Sequence, residues 1–82
     1  WDQTKTWAAK AGGELPTRRE QSLLYANLAK EFKPTWYWSG EQHAAYSDYA
    51  WVQYFGYGNQ NFNRKSLSLR ARAVRRVPLV IR

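Results

Sequence analysis

The chain has 82 residues with a hydrophobic fraction of 44% and a charged fraction of 23%, the make-up of one folded domain with one core. It contains no Cys, which excludes a disulfide scaffold, a thiol nucleophile and a Cys-ligated zinc. No apolar run is long enough for a membrane-spanning helix, and no signal peptide is legible.

The net charge of +7 is lopsided. Residues 1–48 balance six Lys/Arg against six Asp/Glu, whereas residues 49–82 hold Arg64, Lys65, Arg70, Arg72, Arg75, Arg76 and Arg82 and no acid. Aromatic residues make up 17% of the chain, and such rings fill a small core with few side chains. The sequence opens on Trp1 and contains no Met, so it reads as a processed product, a trimmed piece or the ordered part of something longer, with room for a preceding strand.

Trp1, Thr4, Ala8 and Ala11 recur at helical spacing, and Gly12-Gly13 supplies a stop. Leu15-Pro16 is an extended link, because a residue before proline avoids the helical region. Thr17-Arg18-Arg19-Glu20 is a capping box that opens a second helix. Leu24, Leu28 and Phe32 follow as its expected core ridge, with Leu23 and Tyr25 widening it, and Pro34 ends it.

The period then changes to two. Thr35–Ser39 reads as a strand, residues 40–48 as a loop, and Tyr49–Phe55 as a second strand with Trp51, Gln53 and Phe55 on one face. Gly56-Tyr57-Gly58-Asn59 is turn chemistry, and Asn59–Asn63 is expected to continue as an exposed loop. Ser66–Val77 is expected to form the last long strand, with Leu67, Leu69, Ala71 and Ala73 inward and Arg70 and Arg72 outward. Pro78 breaks it, and Leu79-Val80-Ile81 extends it at an edge. Two helices followed by an antiparallel sheet make an α+β fold in a single domain over 1–82.

The ordered set Gly13-Glu14-Leu15-Pro16-Thr17-Arg18-Arg19-Glu20, Trp36-Tyr37-Trp38-Ser39-Gly40, Ala50-Trp51 with Phe55 and Gly58, and Arg72-Ala73-Val74-Arg75 resembles the Lcl C-terminal-like family. That is a domain of unknown function common in bacteria and their phages. The resemblance implies a C-type-lectin-like fold, related to formylglycine-generating-enzyme-like domains and to the variable proteins of diversity-generating retroelements. It also implies that Trp38, Trp51, Phe55 and Ala73 are core, and that Arg72 or Arg75 pairs inward with an acid such as Glu20. Gly40 and Gln53 depart from the family pattern, and a polar amide at position 53 needs a partner if buried.

Ser39, His43 and Asp48 are close in sequence, but no G-x-S-x-G elbow accompanies them, so no catalytic residue is assigned. Thiol-dependent chemistry of the related enzymes lacks its thiol here. Asn59, Asn61 and Asn63 alternate like a calcium loop, yet no carboxylate follows Asp48, and the chain has one His, so neither calcium nor zinc is expected. No cofactor is expected either.

The loops 40–48 and 56–65 are rich in the residues of a paratope, where Tyr supplies contact area and Asn and Ser adapt their hydrogen bonds. Tyr46, Asp48, Tyr49, Tyr54, Tyr57, Asn59, Asn61 and Asn63 are therefore the candidate binding residues, expected on one contiguous surface, for a protein or glycan ligand. The alternative is a nucleic acid or other polyanion held by Arg64, Lys65, Arg70, Arg72 and Arg76 beside Tyr54 and Tyr57. A third reading is a structural virion or tail-associated domain. Resemblance and composition together point to a phage or prophage protein acting in the host cytoplasm or the virion, without catalysis and without a membrane.

Overall fold

A computed structural model describes residues 1–75. Helix α1 spans Asp2–Lys10 and α2 spans Arg18–Leu28, continued by one 3-10 turn at Ala29–Glu31. Strands β1 (Trp36–Gln42), β2 (Tyr49–Tyr54) and β3 (Gln60–Arg64) form an antiparallel sheet in the order β1-β2-β3. This is a small α+β fold.

Local chemistry sets the helix ends. Gly12 takes φ of 82°, the left-handed conformation that ends α1. At the start of α2, Glu20 N–H donates to Thr17 Oγ1 at 3.1 Å, and Thr17 N–H donates to Glu20 Oε1 at 2.8 Å. Both arms of the capping box are formed.

The strand period places alternate residues on two covered faces. On one face Trp38, Ala50 and Val52 pack with Ala8 of α1 and Leu15, and Trp1, Trp36, Leu69, Ala71 and Ala73 close around them. On the other face Phe32 stacks on Phe55 at 4.1 Å, and Tyr37 meets both rings edge-on at 5.1 Å. Tyr25 of α2 also meets Phe55, and Gln21 is buried against β1, donating its amide to the Tyr37 and Trp38 carbonyls at 3.3 and 3.0 Å.

The ridge of α2 differs from the expected one. Leu23 and Leu28 are exposed, and the positions facing the sheet are Tyr25, which belongs to the expected stripe, and Gln21 one helical turn before it, which does not. Phe32 reaches the core from beyond the helix, where the chain has become extended.

Two further expectations are corrected. Gln60–Arg64 is not a loop but β3, because the turn at Gly56–Asn59 folds the chain straight back along β2. Conversely, Ser66–Arg75 forms no strand among the described residues. Its inward rhythm is kept at Leu69, Ala71 and Ala73, while Leu67 is exposed. Only isolated bridges form, Arg70 with Tyr37 and Val74 with Glu14. The physical reason lies in β1, whose register is irregular between Trp38 and Gln42 and whose outer edge is already taken by Pro16, bonded to Gly40 N–H at 2.9 Å. One place remains, where Trp38 N–H donates to the Arg70 carbonyl at 2.9 Å. Residues 76 and 77, Pro78 and Leu79–Ile81 lie outside the described residues. Arg72 and Arg75, one or the other expected to pair with an inward acid, donate to the backbone carbonyls of Glu31 and Ala11.

Thr17→Ala removes one cap acceptor and is expected to cost about 1 kcal/mol in urea unfolding, with an unchanged m-value. Gly58→Ala is expected to cost more, about 1–3 kcal/mol, because Gly58 sits at φ of 81° and a Cβ there would overlap the Tyr25 ring.

Candidate functional site

The connection from β1 to β2 is wound around His43. Its backbone N–H donates to the Tyr49 carbonyl at 2.8 Å, and its Nδ1 accepts from the N–H groups of Ala45 and Tyr46, both at 3.1 Å. The bend returns the Tyr46 ring to 5.0 Å from His43. Opposite lie Tyr49 and Trp51 of β2, and Phe62 of β3, which the register pairs directly with Trp51.

Five rings meet there. His43 is parallel to Trp51 at 5.4 Å, and Phe62 stands edge-on to His43, Trp51 and Tyr49 at 4.6, 5.6 and 5.7 Å. Tyr46 meets Tyr49 edge-on at 5.9 Å. Edge-to-face pairs are each worth about 0.5–1.5 kcal/mol beyond their buried area, so the cluster holds its own shape. Its top is open: Tyr46 is 58% and Phe62 38% exposed.

A polar clamp fixes the other side of Trp51. Gln53 is fully buried, and its Oε1 accepts from Gln60 Nε2 at 2.8 Å. The Gln60 amide also reaches back to α2, donating to the Arg18 carbonyl at 2.8 Å and accepting from Arg18 Nε at 3.1 Å. The Arg18 guanidinium thereby lies over the Trp51 ring, 3.4 Å from its centroid. Gln53 thus has the partner that a buried amide requires. Trp51 belongs to this clamp and ring cluster and is half-buried, rather than packed in the main core.

The eight candidate binding residues fall into separate places. Tyr46 and Tyr49 join the ring cluster. Beside them an open groove of about 610 Å³ is lined by Asp2, Asp48, Tyr49, Arg64, Lys65 and Ser66, among others. There Arg64 Nε donates to the Tyr49 hydroxyl at 3.3 Å, and Lys65 Nζ donates to Gln42 Oε1 at 2.6 Å.

Tyr54 and Tyr57 stack on each other at the far end of β2, with Trp36 against Tyr54 at 5.0 Å. Tyr49 and Tyr54 are on opposite faces and about 17 Å apart, at ~3.3 Å per strand residue. Asn59 is in the turn, accepting from Tyr54 N–H at 2.9 Å, while Asn61 and Asn63 are on β3.

The cations divide likewise. Arg64 and Lys65 border the groove, whereas Arg72 lies over Phe32 at 4.8 Å and Arg70 beside β1. Arg76 is outside the described residues. Ser39 is buried, donating to the Trp51 carbonyl at 2.7 Å, and His43 Nδ1 is engaged by two backbone N–H groups.

His43, Trp51, Phe62 and Arg18 are the members of this site that sequence reasoning does not select. The signal for Phe62 is the turn at Gly56–Asn59, since a tight turn after one strand implies a second strand beside it. Comparison of the chain with protein-family models, curated proteins and solved structures finds no match.

A double-mutant cycle with Arg18→Ala and Trp51→Leu is expected to give a coupling of about 0.5–1 kcal/mol in chemical unfolding. Placing the cycle on a Gln60→Ala background is expected to lower it, because the guanidinium then loses its anchor.

Proposed function

We propose that the chain is a non-catalytic binding module that engages a protein or glycan ligand through the His43, Tyr46, Tyr49, Trp51 and Phe62 cluster. The observation that carries this reading is a ring cluster with exposed tops at a place where α2 reaches only as far as Arg18. Rigid aromatic anchors bordered by adaptable polar groups are the composition of recognition surfaces. Tyr46 and Phe62 are the anchors, the Tyr49 hydroxyl and the groove beside it are the polar border, and Arg18 holds the floor.

We read the fold as a reduced C-type-lectin-like domain of the Lcl C-terminal-like kind. In support, several motif residues carry the packing: Leu15, Pro16, Trp38 and Ser39 are buried, and Thr17 and Glu20 form the cap. A second reading, a polyanion ligand, is favoured by Arg18, Arg64 and Lys65 standing next to the rings.

The test uses three probes: an array of neutral oligosaccharides, a random peptide library and oligothymidylate. Binding of a peptide or oligosaccharide that varies little with salt and drops roughly tenfold or more in Tyr46→Ala and Phe62→Ala is the expected result. Binding of oligothymidylate alone, falling steeply with salt, would replace the first reading by the second. Variants that bind every probe as the unaltered chain does would refute both.

A further inference from the structure

A β-sheet leaves unpaired backbone groups along its two outer strands, and an unguarded strand recruits another. In this sheet the outer side of β1 is occupied. Trp38 N–H and Gly40 N–H donate to the carbonyls of Arg70 and Pro16, and Gln21 donates to the Trp38 carbonyl. The outer side of β3 has no strand paired with it among the described residues.

Alternation identifies which β3 groups face outward. Tyr54 N–H bonds the Asn59 carbonyl and Lys65 N–H bonds the Asp48 carbonyl, both at 2.9 Å. Stepping by two between these pairs, Asn61 and Asn63 point their backbone groups at Val52 and Ala50, and Gln60, Phe62 and Arg64 point theirs away.

Two of those outward N–H groups are nonetheless satisfied. Phe62 N–H donates to the Oδ1 of Asn61 at 2.8 Å, and Arg64 N–H donates to the Oδ1 of Asn63 at 3.2 Å. Each asparagine caps the amide of the residue after it, and the pattern repeats at strand period.

Of the usual guards this strand carries one charge, Arg64 at its last position, where Leu67 N–H also donates to the Arg64 carbonyl at 3.1 Å. Gln60, Asn61, Phe62 and Asn63 include no charge and no proline, and the register against β2 runs from Gln60 to Arg64 without a bulge. The strand is also self-complementary. Paired antiparallel about Phe62 with a second copy of the chain, Phe62 would meet Phe62, Asn61 would meet Asn63, and Gln60 would meet Arg64. No like charges face each other in that arrangement.

We infer that Asn61 and Asn63 are edge guards, whose side-chain carbonyls occupy the N–H groups that the β3 strand of a second copy would otherwise bind. The guards keep the outer edge closed while leaving the Phe62 ring free on the sheet face. This inference does not depend on what the ring cluster binds.

The experiment compares the unaltered chain with Asn61→Ala/Asn63→Ala and with Asn61→Asp/Asn63→Asp, which keeps an acceptor oxygen. Salt is high enough to screen the net charge of +7. At low concentration, NMR hydrogen exchange of the Phe62 and Arg64 amides is expected to quicken roughly 2- to 10-fold in the alanine form and not in the aspartate form. At high concentration, sedimentation velocity is expected to show dimers for the alanine form only. The inference is overturned if the alanine form keeps slow exchange or stays monomeric. It is also overturned if the unaltered chain already pairs through β3. Should the alanine form fail to fold, the inference still requires the unaltered and aspartate forms to exchange these amides more slowly than an exposed, unbonded amide would. Exchange at the unbonded rate would overturn it.

Discussion

The register of β3 against β2 governs the rest of the structure. Trp51 faces Phe62, Val52 faces Asn61 and Ala50 faces Asn63. A slip of one residue would turn Phe62 to the opposite face and carry the asparagines with it. The restraint is the bond between buried Gln53 and half-buried Gln60, 2.8 Å long. A slipped strand would leave the Gln53 side-chain carbonyl unpaired in a site with no solvent access, a loss of about 1–3 kcal/mol. The turn supports the same register, with Gly58 at positive φ and its N–H bonded to the Tyr54 carbonyl.

From that register the two faces acquire different fates. Around Trp38 the sheet is sealed by α1, Leu15 and the segment from Leu69 to Ala73. At the Phe55 end of the other face it is sealed by Tyr25 and Phe32. At the Trp51 end the cover is one guanidinium and one bent loop, and the rings there are partly in solvent. The exposed aromatic surface is thus a consequence of where α2 starts, and the capping box at Thr17 sets that start.

Much of this was legible from local pattern. The capping box, the glycine stop of α1 and the faces of β2 follow from spacing and side-chain chemistry, and the fold class follows from their order. Less legible were features decided by partners distant in sequence. Asn59, Asn61 and Asn63 alternate because they border and occupy an edge strand, and the same alternation without its neighbours resembles a metal loop. Ser66–Arg75 has strand rhythm, but the irregular and occupied edge of β1 accepts only one residue pair from it. Trp51 looks like core by size and by the face it shares with Gln53 and Phe55. Only the positions of Gln60 and Arg18 show that it stops short of burial. The paratope-like composition spans both ends of β2, and strand geometry, which composition does not report, separates Tyr49 from Tyr54.

Trp51 and Phe62 form a pair without mutual backbone hydrogen bonds, so their Hα atoms point at each other across β2 and β3. A two-dimensional NOE spectrum tests that geometry directly. A strong cross-peak between the two Hα resonances, with strand-like shifts over residues 60–64, is the predicted result. No cross-peak, with coil shifts over those residues, would contradict the register and with it both the ring cluster and the guarded edge.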